Sequence, residues 1–219
     1  MPRRLLKLRA RSAGDKALRR ASLLEAARAL LARTDWTELR IADVAGRAGI
    51  AKASVFRYFA TKEELVLAVY LVELGHVFAK LEVALSPDRP QPPEEIARSV
   101  ARMLAAHPLF VRLSSSVHAA LARNISIDSA RGFKLALLAQ LRGAAALLEP
   151  RLPSLPPGGV LRLLVRFHAT MIGLWQLADP PPSVAAALAG GGLDLFRIDF
   201  ALEIEEIFVG LLKTMEVRP

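Results

Sequence analysis

The stretch "AGIAKASVFRYFATKEEL", residues 48–65, decides how this chain folds. Gly49 stands between two short segments with helical apolar spacing, and a glycine just past the end of a helix readily takes the positive φ of a tight turn. A short helix, a tight turn and a second short helix form a helix-turn-helix. The stretch therefore predicts this motif, with the second helix over about residues 52–58.

Side chains around this turn divide into an inward apolar set and an outward polar set. The inward set predicts a small core made of Leu24, Ala27, Leu31, Val44, Ala45, Ile50, Val55 and Phe59. The outward set of the second helix comprises Lys52, Ala53, Ser54 and Arg57. This short, basic and hydrogen-bonding face is what a helix in the DNA major groove requires. Tyr58 and Lys62 follow it, where a hydroxyl and an ammonium group can reach phosphate. The alternative is an exposed basic corner of a helical bundle.

Positive charge is concentrated in the first part of the chain. The formal net charge is +9, and residues 1–62 hold 15 Lys and Arg against 5 Asp and Glu, a net of +10. Residues 63–219 carry a net of −1. A compact basic segment beside a nearly neutral, apolar remainder indicates a head that binds a polyanion, attached to a separate body. We expect nucleic acid as the partner, and a merely solubilising surface is the alternative.

Composition excludes several other classes of protein. The 219 residues are 53% hydrophobic, which is enough for a sizeable core. The absence of cysteine excludes disulfides, zinc-thiolate sites and cysteine nucleophiles, and it fits a reducing cytoplasm. No apolar run reaches the roughly 18 to 20 residues of a membrane span, and we find no secretory signal. No glycine-rich phosphate loop follows a strand, and the four histidines lack metal-ligand spacing. We therefore expect a cytoplasmic protein that is not an enzyme and holds no cofactor or metal.

Helical apolar periodicity recurs along the chain and no strand pattern is convincing, so we expect an all-α fold. The predicted helices cover about residues 16–33, 41–47, 52–58, 61–85, 94–106, 108–123, 128–148, 160–177 and 195–215. Thr61 with Glu64 three residues later matches a capping box at the start of the long fourth helix. The expected domains are a basic flexible arm over residues 1–15, with a helix break at Gly14, a helix-turn-helix DNA-binding domain over 16–62, and a helical effector-binding and dimerisation domain over 63–219.

Residues 20–66 resemble the DNA-binding domain of the TetR/AcrR family of bacterial transcriptional regulators. The matching elements, in the right order and spacing, are "LLEAARALLA", "IADVAGRAGI", "SVFRYF" and "TKEEL". The resemblance covers about the first third of the chain. It implies an all-α fold with an N-terminal three-helix helix-turn-helix DNA-binding domain and a C-terminal helical ligand-binding and dimerisation domain. The implied function is a homodimeric repressor that binds a near-palindromic DNA operator and is released by a small, mostly apolar ligand.

The resemblance also implies roles for single residues of the motif. It places the recognition helix at residues 51–58, with Lys52, Ala53 and Ser54 facing base edges. Tyr58 and Lys62 match positions that contact phosphate.

Three positions of the DNA-binding domain depart from the family pattern. Phe56 stands where a phosphate-contacting tyrosine is common, and it can only pack because it has no hydroxyl. Ala42 stands where some members carry a base-reading arginine. Arg40 replaces the usual threonine at the start of the second helix, so the threonine cap of the family is not expected there, and Arg40 could itself reach phosphate.

The body of the chain predicts a dimer and a ligand pocket. The last two long helices carry apolar residues on more than one face, which indicates burial against the body and against a second subunit in a four-helix interface. Twofold symmetry would set two recognition helices about 34 Å apart on the operator. The candidate ligand-binding residues are Phe78, Met103, Phe110, Val117, His118, Phe133, His168, Met171 and Trp175. The alternatives are a closed monomer and a plain core.

Several questions stay open at the level of sequence. A non-specific architectural DNA-binding protein is the alternative function, and it would need no apolar pocket. The basic arm, with Arg3, Arg4, Arg9 and Arg11, fits either a minor-groove contact or a solubilising tail equally well. The operator sequence, the effector, the regulated genes and the choice between repression and activation cannot be read from the residues.

Overall fold

The computed structural model describes the backbone of residues 2–85 and 90–215, and the side chains of residues 14–85 and 90–215. Within these residues the secondary structure is helical throughout, with no strand, which confirms the all-α prediction. The α-helices are α1 (Pro2–Leu31), α2 (Ile41–Arg47), α3 (Lys52–Val55), α4 (Lys62–Ala84), α5 (Pro93–Ala105), α6 (Pro108–Leu121), α7 (Ile127–Leu148), α8 (Gly159–Ala178), α9 (Pro182–Ala189) and α10 (Phe200–Met215). Short 3₁₀ turns cover Glu149–Arg151 and Asp194–Phe196.

The chain divides into two compact units. The first unit comprises Met1–Tyr70 and Val117–Phe133, and the second comprises Leu71–Ser116 and Lys134–Pro219. The boundary expected from sequence, after residue 62, lies eight residues earlier than the end of the first segment. The first two turns of α4 belong to the first unit, and their apolar side chains, such as Leu65, are fully buried.

The first unit is built on the predicted small core. Leu24, Ala27 and Leu31 form a buried stripe along α1. The predicted core residues of the motif, Val44, Ala45, Val55 and Phe59, are buried as well, whereas Ile50 in the turn is only half-buried. Burial of such apolar side chains is what stabilises short helices that would not persist alone in water. The three-helix arrangement predicted around Gly49 is therefore confirmed.

The predicted helix break at Gly14 is wrong. A single helix, α1, runs from Pro2 to Leu31 and passes through Gly14 without interruption. One glycine costs a helix only about 1 kcal/mol relative to alanine. The flanking residues are mostly Leu, Arg, Lys and Ala, which are strong helix formers, so their summed propensity outweighs that cost. The side chains of residues 1–13, which include the arginines of the basic arm, lie outside the described residues.

The second unit packs α10 against both α5 and α8. Ile204, Phe208 and Leu212 recur every four residues along α10 and are fully buried. The ring of Phe208 meets the ring of Phe167 from α8 edge to face, with their centroids 5.0 Å apart. This spacing and angle are favourable for aromatic pairs, so the contact fixes how α10 lies on α8.

Two helix boundaries differ from the prediction for identifiable reasons. The final helix begins at Phe200 and not near residue 195, because the Asp199 carboxylate accepts hydrogen bonds from the backbone N–H groups of Ala201 and Leu202, at 3.0 and 3.2 Å. An aspartate in this position caps a helix and fixes its first turn. The second helix of the motif ends at Val55, and the chain continues to Tyr58 as a turn.

Candidate nucleic-acid interface

The turn of the motif is a Schellman motif centred on Gly49. Gly49 has a φ of 68°, and its N–H donates to the carbonyl of Gly46 at 3.2 Å. The N–H of Ile50 donates to the carbonyl of Ala45 at 3.0 Å. These two bonds satisfy the last carbonyl groups of α2 and require a left-handed residue between them. The chain therefore leaves α2 in one defined direction, which sets where α3 begins.

The recognition helix exposes its polar residues and buries one anchor. Val55 is fully buried, while Lys52 and Ala53 are exposed and Ser54 is half-buried. The Arg57 guanidinium donates from Nη2 to the Ser54 hydroxyl at 2.7 Å. Because Arg57 lies one turn after Ser54, the two side chains form a hydrogen-bonded pair on the outward side of the recognition helix. The arrangement presents donors and an acceptor of the kind that read base edges.

The N-terminus of α4 carries the predicted cap in a slightly shifted form. The Thr61 hydroxyl accepts a hydrogen bond from the N–H of Glu64 at 3.1 Å. The Glu64 carboxylate accepts from the N–H of Ala60 at 2.8 Å, one residue before the expected partner, and from the Ser129 hydroxyl at 2.6 Å. The first two bonds satisfy the N–H groups of Glu64 and Ala60 at the helix start, and the third fixes the Glu64 carboxylate. They hold Lys62 in a defined position just after the motif.

Lys62 lies beside the Trp36 ring and the Thr37 carbonyl, contacts that the sequence did not predict. Its ammonium group donates to the carbonyl of Thr37 at 2.8 Å and lies 5.4 Å from the centre of the Trp36 ring. The Arg123 guanidinium lies 5.7 Å from the same centre. Both distances are within the range of cation–π attraction. Sequence reasoning missed Trp36 and Arg123. The sequence signal that could have indicated Trp36 is the presence of a tryptophan inside the polar connection "RTDWTE".

The remaining predicted DNA-binding residues lie outside the buried core of the first unit. Arg40 precedes α2 and makes no side-chain cap to it, as expected from the missing threonine. Ala42 and Phe56 are exposed, and Tyr58 is half-buried. An exposed phenylalanine on this surface is free to pack against a sugar or a thymine methyl group, as apolar side chains do in the major groove.

The predicted ligand residues are distributed over both units. In the second unit Met103, Phe110 and Met171 are buried, and Phe78, His168 and Trp175 are half-buried. In the first unit Val117 and Phe133 are buried and His118 is exposed. These environments fit a core as well as a cavity, so the pocket stays a prediction.

A separate groove of about 480 Å³ lies in the second unit beside α9. Its lining residues are Leu177, Ala178, Pro180, Ala185, Leu188, Ala189, Phe196, Arg197 and Ile198. None of the nine predicted ligand residues lines it.

The part of the chain that the structure describes contains neither a metal-binding cluster nor a membrane-spanning helix. Among the described side chains, residues 14–85 and 90–215, no three His, Asp or Glu residues are grouped so that they could hold a metal ion. None of the described helices is both long enough and apolar enough to cross a membrane.

Comparison with known proteins identifies the family of the chain. Residues 23–69 match the family described as "Bacterial regulatory proteins, tetR family", and residues 71–219 match "Tetracyclin repressor-like, C-terminal domain". A search of the curated proteins gave no significant match.

Solved structures of the same fold come from several bacteria. One is a TetR family transcription regulator from Shewanella sp. PV-4, with a TM-score of 0.56 and 16% identity over 91% of this chain and 99% of that one. Another is a transcriptional regulator from Rhodococcus sp. RHA1, with a TM-score of 0.54 and 20% identity over 91% and 99%. A third is the fatty acid degradation regulator FadR from Bacillus halodurans, with a TM-score of 0.53 and 15% identity over 88% and 97%. The chain belongs to the TetR family of transcriptional regulators, which are DNA-binding proteins and not enzymes.

Proposed function

We propose that this chain is a homodimeric repressor that binds a near-palindromic operator and leaves it when a small, mostly apolar ligand binds. The observation that carries the proposal is the recognition helix, which combines a buried Val55 anchor with an exposed polar face that follows a fixed turn. Such a face on a defined turn can enter a major groove in one orientation. A protein of this function works where the chromosome is, in the bacterial cytoplasm.

The residues of the interface divide by the part of DNA that they would contact. Lys52 and the Ser54–Arg57 pair supply donors and an acceptor for base edges, with Ala53 between them. Tyr58, Lys62 and Arg40 supply groups for phosphate, which fix position and orientation but carry no sequence information. The excess positive charge of residues 1–62 would add to affinity for any DNA and make it fall as salt rises.

The outer faces of α8 and α10 support a dimer. On α8 the residues Leu161, Ile172 and Trp175 are half-buried, and Val165 and Leu177 are exposed. On α10 Phe200, Ile207 and Leu211 are half-buried, and Leu202 is exposed. Apolar faces on two adjacent helices can pair with their symmetry copies in a four-helix interface. The dimer would present two recognition helices to two half-sites.

The ligand that we propose follows from the residues of the body. Buried Met103, Phe110 and Met171 and half-buried Trp175 would contact apolar surface, and half-buried His168 could orient one polar group. Release requires only that the ligand bind more tightly to an arrangement of the dimer whose recognition helices do not match the operator.

Selection of bound duplexes from a random pool tests the proposal directly. We expect enrichment of an inverted repeat, and a compound screen against the enriched duplex should then find apolar molecules that release the protein. Lys52→Ala and Ser54→Ala should change which repeat is enriched, whereas Lys80→Ala, an exposed lysine on α4, should not. Equal retention of all sequences by the wild type would instead support a non-specific architectural protein.

A further inference from the structure

The ring of Trp36 brings together two cations from distant parts of the chain. Its side chain is buried, and the Lys62 ammonium and the Arg123 guanidinium lie 5.4 and 5.7 Å from the ring centre. Tryptophan is the aromatic residue that attracts cations most strongly, because the faces of its ring carry a negative potential. The ring therefore gathers two positive charges at the beginning of α4.

Arg123 is supplied by the connection between α6 and α7. The next residue, Asn124, has a φ of 39°, which turns the chain after α6. The Ser129 hydroxyl donates to the Glu64 carboxylate at 2.6 Å and so fixes the start of α7 to the start of α4. The connection thus belongs to the first unit, although it lies outside residues 23–69, which match the N-terminal region of the family.

Neither cation is neutralised by a carboxylate of the part of the chain that the structure describes. Within it, Lys62 and Arg123 form no ion pair, and no group accepts a hydrogen bond from the Arg123 guanidinium. Asp35, the carboxylate next to Trp36 in sequence, accepts hydrogen bonds from the N–H and the hydroxyl of Thr37. A guanidinium has five N–H donors, and its contact with a ring leaves them available. An anion beside the two like charges would offset their repulsion.

We propose that Arg123 binds a DNA phosphate next to the one that Lys62 binds, so that the DNA-contacting surface includes a residue outside the helix-turn-helix. The inference rests on the DNA binding of the proposed function. A DNA strand presents one phosphate for about every 3.4 Å of its axis, so a second cation close to Lys62 can reach a second phosphate of the same backbone. The planar guanidinium can hold two phosphate oxygens at once. Trp36 is a positioning residue, because its ring holds both cations.

The fold adds to the DNA-binding head a charge that sequence order assigns to the body. Counted along the chain, residues 63–219 are nearly neutral. The segment Val117–Phe133, however, belongs to the first unit and carries two arginines, Arg123 and Arg131, against one acid, Asp128. Added positive charge on the head favours a partner with a regular array of negative charges, and the DNA backbone is such an array.

Salt titrations of DNA binding test the inference on the full chain. Arg123→Ala should reduce the slope of log affinity against log salt by about one, on the duplex enriched by selection and on a duplex of unrelated sequence alike. Arg142→Ala removes the same charge from an exposed position of α7 in the second unit and should leave the slope unchanged. Arg123→Lys keeps the charge and should keep most of the slope. Fluorescence anisotropy measures the affinity, and circular dichroism shows that the variants keep their helices.

A double variant separates phosphate contact from structural support. If Lys62 and Arg123 each bind a phosphate, replacing both with alanine should reduce the slope by about two. If Arg123 only stabilises the head, through the ring or through the negative C-terminal end of α6, Arg123→Ala lowers the free energy of unfolding and leaves the slope unchanged, which overturns the inference. A double variant with the slope of Lys62→Ala alone would overturn it as well.

Ethylation of single DNA phosphates supplies a measurement at the level of position. For the wild type we expect interference at the phosphate that Lys62 binds and at one neighbouring phosphate in each half-site. Interference at the neighbouring phosphate should disappear for Arg123→Ala and persist for Arg142→Ala. An unchanged pattern for Arg123→Ala would overturn the inference and leave the proposed repressor intact. If the wild type binds neither duplex, the proposed function itself fails.

Discussion

At the scale of single residues, the direction of the recognition helix depends on the backbone conformation of Gly49. Its φ of 68° is one that residues with a Cβ adopt at a cost of roughly 1–2 kcal/mol. A Cβ added there would meet no neighbouring atom within 4 Å, so the cost of Gly49→Ala is conformational. We predict that Gly49→Ala lowers the free energy of unfolding by about that amount, measured by urea denaturation.

Gly46 offers a matched control for this prediction. It lies within α2, three residues earlier, and a Cβ added there also meets open space, but its φ is not positive. Alanine is favoured over glycine inside helices by roughly 0.5–1 kcal/mol. Gly46→Ala should therefore leave stability unchanged or raise it slightly. Equal destabilisation by the two substitutions would show that the positive φ of Gly49 is not the cause of the lost stability.

Lys62 carries a second prediction at the residue scale. In the free protein its ammonium group already donates to the Thr37 carbonyl, and an ammonium has two further protons with which it can bind a phosphate oxygen. We predict that Lys62→Ala weakens binding to every duplex alike and reduces the slope of log affinity against log salt by about one. Fluorescence anisotropy at several salt concentrations measures the slope, with Lys80→Ala as the control. An unchanged slope would remove the phosphate role.

At the scale of elements, the start of α4 depends on the Thr61 cap. The Thr61 hydroxyl accepts the hydrogen bond of the Glu64 N–H, and loss of such a cap costs a helix roughly 1 kcal/mol. We predict that Thr61→Ala lowers the free energy of unfolding by about this amount, while Thr61→Ser keeps the hydroxyl and most of the stability. If the serine variant is destabilised as much as the alanine variant, the hydroxyl is not responsible.

The elements also show how far local sequence signals extend. The end of α2 and the start of α5 could be predicted because Gly49 and Pro93 mark them locally, and the start of α4 because Thr61 and Glu64 form a known cap. The continuation of α1 through Gly14 could not be predicted, since it depends on summed helix propensity over many residues.

The candidate nucleic-acid interface likewise combines residues that local sequence predicts with residues that only the fold brings together. Polar residues of α3 follow from helical spacing, whereas Trp36 and Arg123 are 87 residues apart in sequence and meet only through the fold of the first unit.

At the scale of the whole molecule, charge and apolar surface are separated along the chain. The first 62 residues hold the net positive charge, and the second unit carries the unburied apolar faces of α8, α9 and α10. Positive charge attracts any DNA, and its effect falls with salt, so it cannot select a sequence by itself. Pairing two recognition helices through the apolar faces would multiply the selectivity of each half-site. Sequence-specific binding by this chain is therefore expected to depend on the dimer.

The spacing of the two half-sites tests this dependence. A twofold dimer should hold its recognition helices about one turn of DNA apart, roughly 34 Å, so an operator with the natural spacing engages both. Insertion of about five base pairs at the centre turns one half-site to the opposite face of the duplex. We predict that this insertion weakens binding of the wild type to the level of a single half-site, measured by fluorescence anisotropy. The Val165→Asp variant, which we expect to be monomeric, should bind both duplexes with the same affinity. If the wild type binds both duplexes with the same affinity, the two recognition helices act independently. The proposed dimer would then have no part in reading the operator.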